Sequence, residues 1–204
     1  MKLNKVLALA LSGVMAVSML AGCSNNSGNG GQNGGEQPPV DDTTIASVLN
    51  DEQADNDVKV NFTYSSSLET ALQKTLEVVG NTAGNNTVDG YLANVLGVED
   101  VVMSEFCGYS GSGHNTVGEQ TAVIVYRDDT GLTDEGSVEK MYNTVLKNHM
   151  SKLTSEWTDP TTSNQVKWNF SYTGEVAAVS SVEDNQNYTY VAIVVTCNTT
   201  KALA

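Results

Sequence analysis

The sequence predicts an α+β domain: a single, mainly antiparallel sheet with helices packed on one face. Three observations carry that reading. Two runs alternate apolar and polar residues, 58–64 and 166–172, as half-buried strands do. Two more, 119–127 and 188–197, are apolar on both faces at their centres, as strands inside a sheet are. Between them, Thr133 to Trp157 carries one continuous apolar stripe at helical spacing.

In order along the chain, Ile45, Val48 and Leu49 have the spacing of one or two helical turns within a polar, acidic segment. The run VKVNFTY places Val58, Val60, Phe62 and Tyr64 on one strand face. Leu68, Ala71, Leu72, Leu76 and Val79 then recur as on a helix, stopped by Gly80. Val88, Tyr91, Leu92, Val95 and Leu96 predict a second helix over 87–96, with Gly97 at the C-cap. DVVMSEFCG, 100–108, and EQTAVIVYR, 119–127, read as strands. In the long helix, Asp134 and Glu135 fall at the N-terminus, where the helix dipole favours negative charge. After Pro160, Val166, Trp168, Phe170 and Tyr172 alternate, and Gly174 predicts a bulge or turn. Residues 183–187 read as a hairpin loop before the last strand. Taking the first two helices as one crossover, the order contains the βαββαβ pattern of a ferredoxin-like sheet with an extra C-terminal strand. No repeat of 20–50 residues is visible.

Residues 58–204 are expected to form this one domain, and the chain before it has a different character. Lys2 and Lys5 precede an apolar run, Val6 to Leu20, that is short of the roughly 20 residues a spanning helix needs. That pattern suits an export signal over 1–22. The run closes on Leu20-Ala21-Gly22-Cys23, which resembles the lipobox of bacterial lipoprotein precursors. The resemblance implies that the Cys23 thiol receives a diacylglyceryl group and that signal peptidase II cuts just before it. Two acyl chains suffice for stable anchoring. The expected location is therefore the cell membrane, lipid-anchored on its extracytoplasmic face. Residues 23–57 then read as the lipidated N-terminus and a flexible tether. Positions 24–39, SNNSGNGGQNGGEQPP, hold nothing to bury, and their root-mean-square reach is about 20–24 Å.

Charge narrows the partners. Twenty-four Asp and Glu stand against ten Lys and Arg, a net charge of −14, and Arg127 is the one arginine. Nucleic acid needs clustered cations to neutralise phosphates, and this chain has none. The acidic clusters at 51–57 and 127–135 lack EF-hand spacing and read as solvated segments. No short-spaced Cys/His pairs call for a metal, and no cofactor motif is present.

Cys107 and Cys197 are the remaining cysteines. In an exported chain an even pair predicts a disulfide. Its loop of about 90 residues would contribute at most about 4–5 kcal/mol. The competing reading is two buried thiols acting as small hydrophobes.

For chemistry, FCGYSGSGHNTVGEQ at 106–120 sets a serine among glycines, but Gly108-Tyr109-Ser110-Gly111-Ser112 breaks the Gly-x-Ser-x-Gly pattern at its fifth position. It reads as a hairpin loop, with Tyr109, Ser110, Ser112 and His114 as contact candidates because loops carry much binding function. His149 lies on the apolar helix stripe without an acid or serine one turn away. No complete catalytic constellation emerges, so the expected function is a non-enzymatic interaction module for an envelope protein. The alternative is a small-ligand or glycan-binding module in which Trp168 and Tyr172 form an aromatic platform on an exposed sheet face.

Overall fold

A computed structural model describes residues 43–80, 83–110, 117–159, 166–183 and 186–203. Helix α1 (Thr43–Glu52) leads into strand β1 (Asn61–Tyr64), then helices α2 (Ser66–Val79) and α3 (Asn85–Leu96). A 3-10 turn (Met103–Glu105) precedes β2 (Gly118–Asp128). Helix α4 (Asp134–Met141) runs through a π-helical turn (Tyr142–Leu146) into α5 (Lys147–Met150). Short β3 (Glu156–Thr158) and the long β4 (Val166–Glu183) and β5 (Gln186–Leu203) complete the chain. The fold is α+β.

Strand order is β1-β4-β5-β2, with β3 also on β4. Strands β4 and β5 pair antiparallel from Val166↔Leu203 to Glu183↔Gln186, and β5 pairs antiparallel with β2 from Thr199↔Gly118 to Thr189↔Asp128. β1 alone runs parallel to its neighbour β4, Phe62 opposite Gly174. Thus β1, β2 and β4 point the same way. The chain crosses the sheet from β1 to β2 through α2 and α3, and returns from β2 to β4 through α4 and α5. Crossovers between parallel strands share one hand. Travelling in opposite directions, they must pass over opposite faces.

This is where the fold departs from a single helical layer. One core packs Ile45, Leu49, Val138, Met141, Leu146 and Met150 against Phe62, Phe170, Val191 and Ile193. The other packs Leu68, Leu72, Leu76, Val88 and Leu92 against Val123, Val125, Tyr190 and Ala192. Helices therefore cover both faces, and β5 is apolar on both because alternate residues feed different cores. Helix α1 is part of the first core, so the folded domain begins before the expected boundary at residue 58.

Local chemistry explains the element ends. Ser65 caps α2 by accepting from the Leu68 N–H, and Gly80 receives its end. Gly97 closes α3 in the left-handed region, φ 68°. Thr133 caps α4, with Asp134 and Glu135 in the first turn as expected. The helix stops at Met150 rather than reaching Trp157, which instead lies on β3 opposite Trp168. The strand expected over 100–108 is absent, which also removes the ferredoxin-like order. Only Asp100 bridges Thr121 there, and the Asp100 carboxylate takes the Val123 N–H that a continuing strand would need.

Gly174 makes neither a bulge nor a turn, for β4 runs unbroken through it. Its lack of a side chain admits the Phe62 ring from the parallel strand. A Cβ there would overlap that ring and lie 2.9 Å from Val60 Cγ1. Gly174→Ala should therefore overpack the first core and cost about 1–3 kcal/mol. Urea unfolding is expected to show a lower midpoint with an unchanged slope.

Candidate functional site

The ends of the sheet organise the site. A strand edge exposes backbone N–H and C=O groups that either pair or invite another chain. At β1, α1 supplies side-chain amides as a substitute strand. Asn50 donates to Phe62 O and accepts its N–H, both at 2.9 Å. Gln53, buried, does the same for Val60, at 3.0 and 2.9 Å. Asn50 near the end of α1 and Gln53 in the turn after it, spaced i, i+3, meet Phe62 in β1 and Val60 just before it, spaced i, i+2.

The β2 edge is capped differently. Asn85 and Asp89, one turn apart on α3, accept the N–H groups of Arg127 and Val125 at 3.0 and 3.2 Å. Asp100, on the segment after α3, accepts from Val123 at 2.9 Å. Farther along, Val101 donates to Thr121 O at 2.8 Å, and Gln120 Oε1 accepts from Cys107 N at 2.8 Å. A carboxylate can only accept. Asp89 and Asp100 therefore serve the N–H groups of Val125 and Val123 but cannot serve the carbonyls beside them.

Because helices lie on both faces, this edge is walled on both sides. A groove of about 230 Å³ results, lined by Asp89, Asp100, Val101 to Met103, β2 residues Ala122 to Ile124, and Val145 and His149 from the opposite wall. Burial, opposed by the Val125 N–H and reinforced by the nearby Asp100 charge, pushes the Asp89 carboxyl up to about 6. Burial, and then the Lys152 ammonium, lower His149. Its imidazole is thus neutral at pH 7, with Nδ1 3.4 Å from the Tyr109 hydroxyl. Among the described residues, neither Asp89 nor Asp100 has a Lys or Arg within ion-pair distance; the ion pairs found are Lys140–Asp128 and Lys167–Glu156.

A larger depression of about 460 Å³ lies at Gly84 to Thr87 and Arg127, where Asn85 already spends its carbonyl on the Arg127 N–H. It is shallow and polar. Asp128, expected in a solvated cluster, is buried. Burial raises its pKa, but hydrogen bonds from Lys140 and from the Thr130 and Ser137 hydroxyls outweigh that and hold it below the usual range. Its role is to tie the end of β2 to α4.

The residues singled out from sequence do not converge. Trp168 and Tyr172 are 6% and 7% exposed, buried in the first core. They are not a surface platform, and the glycan-binding alternative loses its ligand face. Tyr172 donates to Thr154 O at 2.9 Å, and its hydroxyl occupies the space a side chain at 108 would fill, which makes Gly108 necessary. Tyr109 is buried beside His149, its ring beneath Lys152 Nζ at 5.8 Å. Ser110 is exposed, its N–H bonded to Lys152 O. Ser112, His114 and Cys23 lie outside the described residues. Cys107 and Cys197 are buried free thiols, not a disulfide, and burial raises the Cys197 thiol. No group of three or more His, Cys, Asp or Glu among the described residues could hold a metal.

Sequence reasoning missed Asp89 and Asp100. The available signal was polar residues at 85 and 89, one turn apart on the otherwise apolar face of a helix. Since Asp89 is raised in the folded chain, between about pH 4 and 6 the native state keeps a proton that the unfolded chain has lost. Its contribution to stability should fall as pH rises through that window and level off above it. Carboxyl NMR of the full chain is expected to show Asp89 titrating near 6, with the Val125 amide following. Asp89→Asn, which keeps the cap without the charge, should flatten that part of the stability profile.

Comparison with protein-family models, with curated proteins and with solved structures returns no match to this chain.

Proposed function

We propose that this chain is an extracytoplasmic lipoprotein, anchored through Cys23, whose α+β domain is a non-enzymatic interaction module for an envelope protein. The groove along the β2 edge carries the binding half of this reading. Ligand pockets for whole small molecules run about 300–1,000 Å³. A groove of about 230 Å³ with apolar walls suits a side chain projecting from a larger partner. Around it, the polar groups cap backbone rather than assembling a nucleophile with its base: the hydroxyl at His149 Nδ1 is Tyr109's.

Support for the anchor is Lys2 and Lys5, the Val6–Leu20 run and the Leu20-Ala21-Gly22-Cys23 end. Among the described residues no helix is long and apolar enough to cross a membrane. A tether of sixteen residues, 24–39, with Glu36 its one charged side chain, would hold the domain within a few nanometres of the bilayer.

In a bacterial host, the full chain should incorporate an alkyne-tagged fatty acid and fractionate with membranes. Cys23→Ser should abolish incorporation and leave the uncut precursor on gels. Unchanged labelling of Cys23→Ser would contradict the anchor. Crosslinking of the wild-type chain at the membrane should give one discrete adduct. A ladder of random products, or none, would contradict the interaction module.

A further inference from the structure

We propose that the β2-edge groove receives a lysine or arginine side chain of the protein partner, with Asp89 and Asp100 holding its cationic head. This rests on the interaction-module reading and specifies the chemistry of its site. Each carboxylate spends Oδ1 on a backbone N–H of β2. Because Val123 and Val125 are two residues apart on one strand, the two caps stand about 7 Å apart along the edge.

The outward carbonyls of Val123 and Val125 lie beside them, since residues whose N–H points away from β5 present their C=O the same way. The polar side of the groove is thus made of acceptors: the two carboxylates and, from the lining strand, the Val123 carbonyl. What such an array lacks is a donor with positive charge. An ammonium offers three donors and a guanidinium five. Neither Asp is neutralised by a cation of this chain among the described residues, and His149 across the groove is held neutral by burial and Lys152.

The remaining lining fits the stem of the same side chain. Val101, Val102, Met103, Ile124 and Val145 give an apolar sleeve for the methylenes of a lysine or arginine, which pack on apolar surface while the head stays polar. Val102 is 60% exposed at the rim. The contrast with the β1 edge strengthens the assignment. There, amides that both donate and accept serve the N–H and the C=O of Phe62 and of Val60. At β2, acid residues close only the N–H half. A chain of net charge −14 would also draw a cationic partner to the surface before docking.

The test uses the full chain and a tetralysine peptide, observing the Val123 and Val125 amides by NMR. Binding is expected to shift both amides and to weaken at least tenfold in Asp89→Asn/Asp100→Asn, which keeps the caps without the charges. A remote charge-matched control, Asp55→Asn/Asp57→Asn, should bind as the wild type does. If the control weakens equally, the effect is the field of the whole chain and the site is overturned. No shift of those amides also overturns it. If putrescine binds as tightly with the same Asp89/Asp100 dependence, the occupant is a free amine and the protein side chain is rejected.

Membrane crosslinking separates the two layers of the argument. An adduct lost in Asp89→Asn/Asp100→Asn supports the groove. An adduct retained by that variant overturns the groove and leaves the module standing. An adduct absent even from the wild type removes the module itself.

Discussion

The structure depends on how an open sheet is closed without a barrel. The strand order β1-β4-β5-β2, with short β3 also on β4, leaves β1 and β2 at the edges, and each edge strand carries backbone groups that cost free energy if buried unpaired. Side chains from the flanking helices and from the residues that follow them meet that demand: Asn50 and Gln53 at β1, Asn85, Asp89 and Asp100 at β2. An unsatisfied buried group costs about 1–3 kcal/mol, against a net gain of about 1 kcal/mol for an ordinary hydrogen bond. These contacts therefore matter more for what they prevent than for what they add.

That requirement fixes where the helices sit. Helix α1 must lie beside β1 with its amide residues inward, and it packs Ile45 and Leu49 into the first core in doing so. Helix α3 must lie beside β2, so the β1-to-β2 crossover ends at the far edge rather than over the middle of the sheet. The return crossover then covers the other face. With α3 and the Asp100 segment on one side of the β2 edge and α5 on the other, a walled groove is a geometric consequence of the sealing. Function at that groove would use acceptors first placed there for structural reasons.

Much of the fold was legible in sequence because its signals are local. The apolar period of 66–79 and 85–96, Gly97 as a cap, Thr133 ahead of Asp134 and Glu135, and the doubly apolar cores of β2 and β5 all reflect short-range geometry. The misreadings share a cause. Gly174 looked like a break because the Phe62 ring that needs the space comes from a strand more than a hundred residues earlier. Segment 100–108 looked like a strand because its apolar residues are common to strands and to buried irregular chain; the Asp100 side chain, not composition, decides it. Trp168 and Tyr172 were recognised as lying on one sheet face, but which helices cover that face follows from crossover direction, which no single window of residues contains. The groove residues were illegible for the same reason: Asp89, Asp100 and His149 acquire meaning only once β2 is at an edge.

Native-state hydrogen exchange, residue by residue on the full chain, tests the sealing most directly. Edge amides facing water exchange through small local openings, whereas sealed ones need larger cooperative openings. Sealed edges predict that the Val60, Phe62, Val123, Val125 and Arg127 amides are protected to a degree approaching that of Val191 and Ile193 in the central strand β5. Exchange of those five amides at rates near those of unprotected chain, while β5 stays protected, would contradict the claim that side chains close this sheet.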